Sequence, residues 1–344
     1  MLLAGAVALV VVVIQIPSVY CGKARLIPSD RTKLDEWIAV NMKDYVERKA
    51  KQGNSSLDIK LAKAEDSVKI VKVRKDGTGD FNTVTDAVKS IPKGNTQRVV
   101  VWIGGGEYVE KITVDVSKPF LTFYGDKDDM PTIVFNGTAF QYGTLNSATV
   151  EIESDYFVAA NIAFVNSAPM PDGKRVGAQA VAMRISGDKA AFHNCRIVYI
   201  FDNDIYIHTH MQNTSIISVA KGMGVITAQA REDVSDDSGF TFVHCNITGT
   251  GDTYLGRAWK ECPRVVFAYT FMGTLINSQG WSNNMHKDRN ETTVYYGEYK
   301  CKGPGASTKG RVNYAKTLSD EEAQPFLSMT YLHGNKWILP PPKL

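Results

Sequence analysis

The chain has 344 residues, 44% of them hydrophobic and 22% charged, which reads as globular rather than disordered and leaves room for one large domain or two ordinary ones. Its formal charge of +3 is too small for a dedicated nucleic-acid binder but suits a protein that works against an acidic polymer.

Residues Met1 to Tyr20 carry no charge, and Leu2 to Ile16 is almost wholly apolar before Pro17-Ser18. This reads as a secretory signal peptide over 1–21, too short for a spanning helix and followed by small residues suited to cleavage. The absence of Lys or Arg ahead of the apolar run leaves an uncleaved anchor as the alternative. Five sequons, at Asn54, Asn136, Asn213, Asn246 and Asn290, match Asn-X-Ser/Thr and join the leader in favouring secretion and glycosylation. Beyond Cys21, the cysteines Cys195, Cys245, Cys262 and Cys301 are too few for a disulfide framework. One or two bridges fit a secreted chain, and their pairing is not readable from sequence.

Residues 22–64 form a helical arm. Ser29 or Asp30 can cap a helix whose apolar positions Leu34, Trp37, Ile38 and Tyr45 fall at helical spacing, and the polar stretch 49–56 ends it. The arm is expected to cover one end of the fold. From Val68 onward short β-rich runs recur with Gly, Asn and Asp between them, as at 70–73, 99–103, 121–124, 180–185, 191–198, 216–219, 240–247 and 265–269. Spacings of roughly 20 to 30 residues, without alternating long helices, suit an all-β solenoid, a parallel β-helix whose coils stack into one core. A β-sandwich is the alternative. A helix over 81–91 would cap the open N-terminal edge, and Ser319 with Glu322 opens a C-terminal helix over 319–332 through a capping box. Residues 65–344 are therefore one domain.

Familiar catalytic patterns are missing. There is no Gly-x-Ser-x-Gly elbow, no His-Glu-x-x-His and no Cys-x-x-Cys. His208-x-His210 lacks a third ligand, so no metal is expected. Gly104-Gly105-Gly106 has no Lys-Ser/Thr after it and reads as a corner. What remains is Asp202 and Asp204. At positions i and i+2 of a strand they would share one side, roughly 7 Å apart, and could divide acid and base roles. Asp-Asn-Asp is equally a turn sequence.

The stretches around them weigh on that choice. Gly106-Glu107-Tyr108-Val109-Glu110, Gln179-Ala180-Val181-Ala182-Met183 and Leu255-Gly256-Arg257-Ala258-Trp259 resemble three signature motifs of plant pectin methylesterases. Lys75-Asp76-Gly77-Thr78-Gly79-Asp80-Phe81 and the run from Val219 to Arg231 add to the resemblance, which covers most of 65–340. It implies a right-handed parallel β-helix with short capping helices and no cofactor. The reaction it implies is hydrolysis of galacturonate methyl esters in pectin, in which one aspartate attacks, a second protonates the departing methoxide and glutamines hold the oxyanion. On that resemblance Asp204, Asp202 and Gln179 are the catalytic candidates, and Thr144, Gln179, Arg257 and Trp259 the substrate-binding ones. The implied setting is a secreted, monomeric cell-wall protein that acts on pectin, with a proteinaceous pectinesterase inhibitor as a further partner.

One departure stands out. The family carries Gln-Asp-Thr-Leu and, one coil later, Asp-Phe-Ile-Phe-Gly, and this chain has room for one of them. A gapless count from Gln179 sets Asp202 on the acid/base aspartate, with Phe201 in place of the glutamine. A count back from Val219 sets Asp204-Ile205-Tyr206-Ile207-His208 on the nucleophile motif. A second alignment leaves the nucleophile missing. The alternatives to a working esterase are thus a catalytically impaired pectin-binding relative or a shortened gene model. A solenoid tolerates loss of a coil because stacking register is kept.

Overall fold

The computed structural model describes residues 26–50, 58–170, 176–199, 204–205, 209–282, 291–328 and 337–338. The expected leader, the sequons Asn54 and Asn290, Asp202, His208 and the end of the 319–332 helix lie outside them.

The strands coil. Among the described residues they form three sheets of ten, seven and seven strands, and successive strands pass to each sheet in rotation. Pairing is parallel throughout, as in Phe192–Met211–Phe242–Phe267 across four coils. This is a parallel β-helix, as expected, and the sandwich alternative is overturned by the absence of antiparallel pairs among the described residues. Side chains alternate along each strand, so every coil sends β-branched and aromatic residues to one axis. Phe123, Phe164, Phe192, Phe240, Phe242, Phe267 and Tyr296 are fully or almost fully buried there. Equivalent positions stack, as Phe242 and Phe267 with rings 4.4 Å apart, and rings also stack between sheets, as Trp281 and Tyr296 at 4.2 Å.

The corner leaving the ten-stranded sheet takes a left-handed residue in six successive coils: Asn161, Asn194, Asn213, His244, Tyr269 and Lys300, with φ between 46° and 59°. Asparagine tolerates this region better than most residues, and here its amide adds a ladder. Asn194 Nδ2 donates to Asn161 Oδ1 at 2.9 Å, and Asn213 Nδ2 to Asn194 Oδ1 at 3.2 Å. The next residue of each corner points inward, and the order Cys195, Thr214, Cys245, Thr270, Cys301 alternates cysteine with threonine, one per coil. Cysteines two coils apart are separated by about 9–10 Å, too far for a disulfide. All four of Cys195, Cys245, Cys262 and Cys301 are free, and burial pushes the thiols of Cys195, Cys245 and Cys301 up to about 12.

The first coil is closed by the helix Val84–Ser90, shorter than expected because Phe81 is spent on a bridge to Val73. Thr83 caps it, and the Glu110 carboxylate accepts from Val84 N at 3.0 Å and Thr85 N at 2.7 Å. The arm departs from expectation. Asp30 caps a short 3-10 turn that leads into the helix Leu34–Ala50. Ile27 and Leu34 pack with Val243, Val266, Ala268 and Phe326 on the outer face of the ten-stranded sheet. The arm therefore lies along the side of the solenoid and not over its end. The helix Asp320–Leu327, with the expected capping box at Ser319, covers the same face.

Candidate active site

One seven-stranded sheet carries the candidate residues. Its order runs Ile112–Val114, Val150–Ile152, Met183–Ile185, Asp204–Ile205, Ala228–Gln229, Gly256–Ala258 and Trp281–Ser282. The coil that begins at Ala190 returns to the ten-stranded sheet at Thr209, whereas the next does not return until Phe240. Ile205 pairs with Ile185 on one side and Gln229 on the other, so the column of strands is continuous.

Register then decides which residues share a row. Asp204 pairs with Ala228, and Ala228 with Arg257. Paired residues of parallel strands face the same way, and neighbouring strands lie about 4.8 Å apart. Ala228 is fully buried and carries nothing beyond Cβ, so the long Arg257 side chain can cross it toward the Asp204 position. Arg257 is half-buried, its guanidinium 5.9 Å from the Trp259 ring centroid, and Trp259 N donates to Gln229 O at 3.2 Å. A glycine before Arg257 is a requirement of packing: a Cβ at Gly256 would lie 2.5 Å from Thr227 Oγ1 and 3.1 Å from the Trp281 ring. Asp202 and the Asp204 side chain lie outside the described residues.

Gln179 sits just before Met183–Ile185, the strand next to Asp204–Ile205. Its carbonyl accepts from Ala139 N at 2.8 Å, and its Oε1 is buried without a hydrogen-bond partner among the described residues. Thr144 follows the short helix Ala139–Tyr142, and its carbonyl accepts from Ser147 Oγ at 3.0 Å. Beside Gln179 opens a cavity of about 620 Å³, walled by Phe140, Met170 and Val176 with Asn136 and Thr138. Asp204 and Arg257 thus lie on one sheet, with Gln179 four residues ahead of one of its strands and Trp259 just past another, within a span of four neighbouring strands.

Three residues that the sequence reading passed over organise this sheet. Asn166 is buried, and its Nδ2 donates to the carbonyls of Gly137 at 2.9 Å, Ser147 at 3.2 Å and Val181 at 2.8 Å. It thereby ties the Thr144 loop to the approach carrying Gln179. Arg184 pairs through Nη2 with Glu153 Oε1 at 2.6 Å. Ala228 is the spacer just described. The last two fall inside or beside recognisable motifs, whereas an isolated asparagine gave no signal.

Other expectations resolve more simply. Gly104-Gly105-Gly106 is the corner between Arg98–Ile103 and Glu107–Val109. His210 is buried on the ten-stranded sheet. Asn136 is exposed and Asn246 half-buried, while the Nδ2 of Asn213, the atom a glycan would need, is committed to the asparagine ladder.

Comparison with known proteins returns one family. A model described as Pectinesterase matches residues 70–220 and 199–335. The two matches overlap over residues 199–220. A pectinesterase from Olea europaea and one from Parthenium hysterophorus are each 41% identical, over 96% of this chain and 95% of theirs. Among solved structures, the pectin methylesterase from carrot matches with a TM-score of 0.61 at 30% identity, over 78% of this chain and 94% of that one. The enzyme from Aspergillus niger matches with a TM-score of 0.60 at 25% identity, over 78% and 95%.

Proposed function

The chain belongs to the pectinesterase family, and from that premise we propose how its residues hydrolyse the methyl esters of galacturonate units in pectin. It is a carboxylic ester hydrolase, with methanol and pectate as products. Asp204 is the nucleophile. Its carboxylate adds to the ester carbonyl carbon, and the bond to the methoxy oxygen breaks. Asp202, as the acid, gives its proton to the departing methoxide. The resulting acyl-enzyme is an anhydride with Asp204. Water then adds to the galacturonyl carbon and yields its proton to Asp202, which frees both the Asp204 carboxylate and the product.

This reading rests on one register, Asp204–Ala228–Arg257. Arg257 can engage the nucleophile through its planar fork and favour the ionised form. Gln179 offers its amide N–H to the oxyanion. Trp259, its ring beside Arg257, stacks on a sugar ring, and Thr144 contributes to substrate binding. Pectin is an acidic polymer, to which the net positive charge is suited. The leader and sequons support secretion to the cell wall, as a monomer open to a proteinaceous inhibitor, with Asn136 and Asn246 the better placed glycan acceptors among the described residues.

The test is methanol release from methyl-esterified pectin by the purified protein and by Asp204→Asn. The expected result is turnover in the parent and a loss on the order of ten-thousandfold or more in the variant, with pectin still bound. A parent that binds pectin and releases no methanol would be a non-catalytic binder, and the proposed roles would fall.

A further inference from the structure

We propose that Arg184 is a second positioning residue for Asp204, and that the short coil is what brings the two together. The proposal rests on Asp204 being the nucleophile. Ile185 pairs with Ile205, so the same parallel register sets Arg184 directly beside Asp204, one strand away at about 4.8 Å. Arg257 is two strands away on the other side. An additional coil here would insert a strand between Arg184 and Asp204. The pairing is therefore a property of this chain's shortened region.

Charge accounting around Arg184 leaves a donor over. Glu151, paired in register with Arg184, is served by Lys111 Nζ at 2.6 Å. Glu153 takes Arg184 Nη2 at 2.6 Å, and Glu151 Oε2 stands 3.9 Å from the same nitrogen. The Arg184 Nε is buried with no hydrogen-bond partner among the described residues. A buried donor left without an acceptor is costly, and a carboxylate-bearing position in register on the next strand is where one could be supplied. The row reads Glu151, Arg184, Asp204, Ala228, Arg257: the nucleophile position lies between two guanidinium-bearing positions. Lys111, Glu151 and Glu153 surround Arg184 on its other side, and Asp202, Tyr206 and His208 are the other ionisable residues of the Asp204 segment.

A cation that close favours the ionised carboxylate, so removing it raises the pH at which the nucleophile becomes active. The experiment is the pH dependence of kcat/KM on methyl-esterified pectin for the parent, Arg184→Gln, Arg184→Lys and Glu153→Gln. Arg184→Gln should move the acid limb up by roughly one to three pH units, with activity recovering above it. Arg184→Lys keeps the charge and should return the limb most of the way. Glu153→Gln, at a part-exposed position that spares the core, removes a competing carboxylate and should move the limb down. It also serves if Arg184→Gln fails to fold. An acid limb unmoved in every folded variant, with activity lowered evenly across pH, would overturn the proposal and leave Arg184 a purely structural partner of Glu151 and Glu153. The underlying reading fails separately: activity surviving in Asp204→Asn removes the nucleophile assignment whatever the Arg184 variants do.

Discussion

The ten-stranded sheet and the sheet that carries the site are built from the same coils, yet they are held very differently. The former has strands of four to six residues in most coils, with stacked aromatics inside and helices packed outside. The latter narrows to two residues at both Asp204–Ile205 and Ala228–Gln229, whose ladder is only a pair or two long. Short strands cannot fix their own register, so the site inherits it from the long ones. A damaged frame should cost stability and leave the chemistry of surviving molecules alone, and a damaged site row should do the reverse.

The largest expected effect tests the frame. Phe267 is fully buried, stacked on Phe242 and 5.8 Å from the Trp281 ring. Phe267→Ala opens a cavity in the axis and should cost about 3–5 kcal/mol of stability, read by denaturant or thermal unfolding. The fraction that remains folded should turn over pectin at close to the parent rate. If activity per folded molecule instead falls in step with stability, the two sheets are not separable.

Gly256→Ala attacks the site row. Its Cβ must displace either Thr227 or the Trp281 ring, and Arg257 is the next residue. A shift near 1 Å in a reacting group can cost on the order of a hundredfold. We expect kcat/KM for pectin to drop by about that factor while the melting transition moves by much less than in Phe267→Ala. A variant that melts early and still works at the parental rate would mean that Arg257 is not placed through this glycine.

The contrast also explains what could be read before any coordinates. Inward periodicity at positions such as Val99, Val101, Phe240 and Phe242 reports packing directly, so the solenoid was legible. Arg257 and Trp259 were legible because they sit in a motif that also performs a packing duty at Gly256. Asn166 was not: its three carbonyl acceptors are spread over two coils, and no local pattern encodes a long-range clamp. The side on which the arm docks was missed for a related reason. Leu34 shows that a helix has an apolar face, but which sheet receives it depends on where Val243, Val266 and Phe326 converge. Around Asp204 the residue types were evident and their register was not, because register is set by strands elsewhere in the coil.

The smallest effect concerns the outer face of the ten-stranded sheet, where the covering seals in polar groups. His210 lies there, buried in register between Ala191 and Thr241, with His193 nearby on the neighbouring strand. Burial, with a smaller contribution from His193, pushes the His210 imidazole down to about 3 from an ordinary 6.5. The folded chain thus refuses a proton that the unfolded chain accepts. Stability from this group is present above pH 6.5 and is lost as pH falls toward about 3. Inside that window one unbound proton corresponds to a slope of about 1.4 kcal/mol per pH unit at most. His210→Gln removes the titrating group, so the unfolding free energy measured between pH 6.5 and 4 should flatten by up to that slope, whatever the offset at pH 7. A variant with the parent's full acid sensitivity would assign the effect to carboxylates, with His210 a silent occupant of the face.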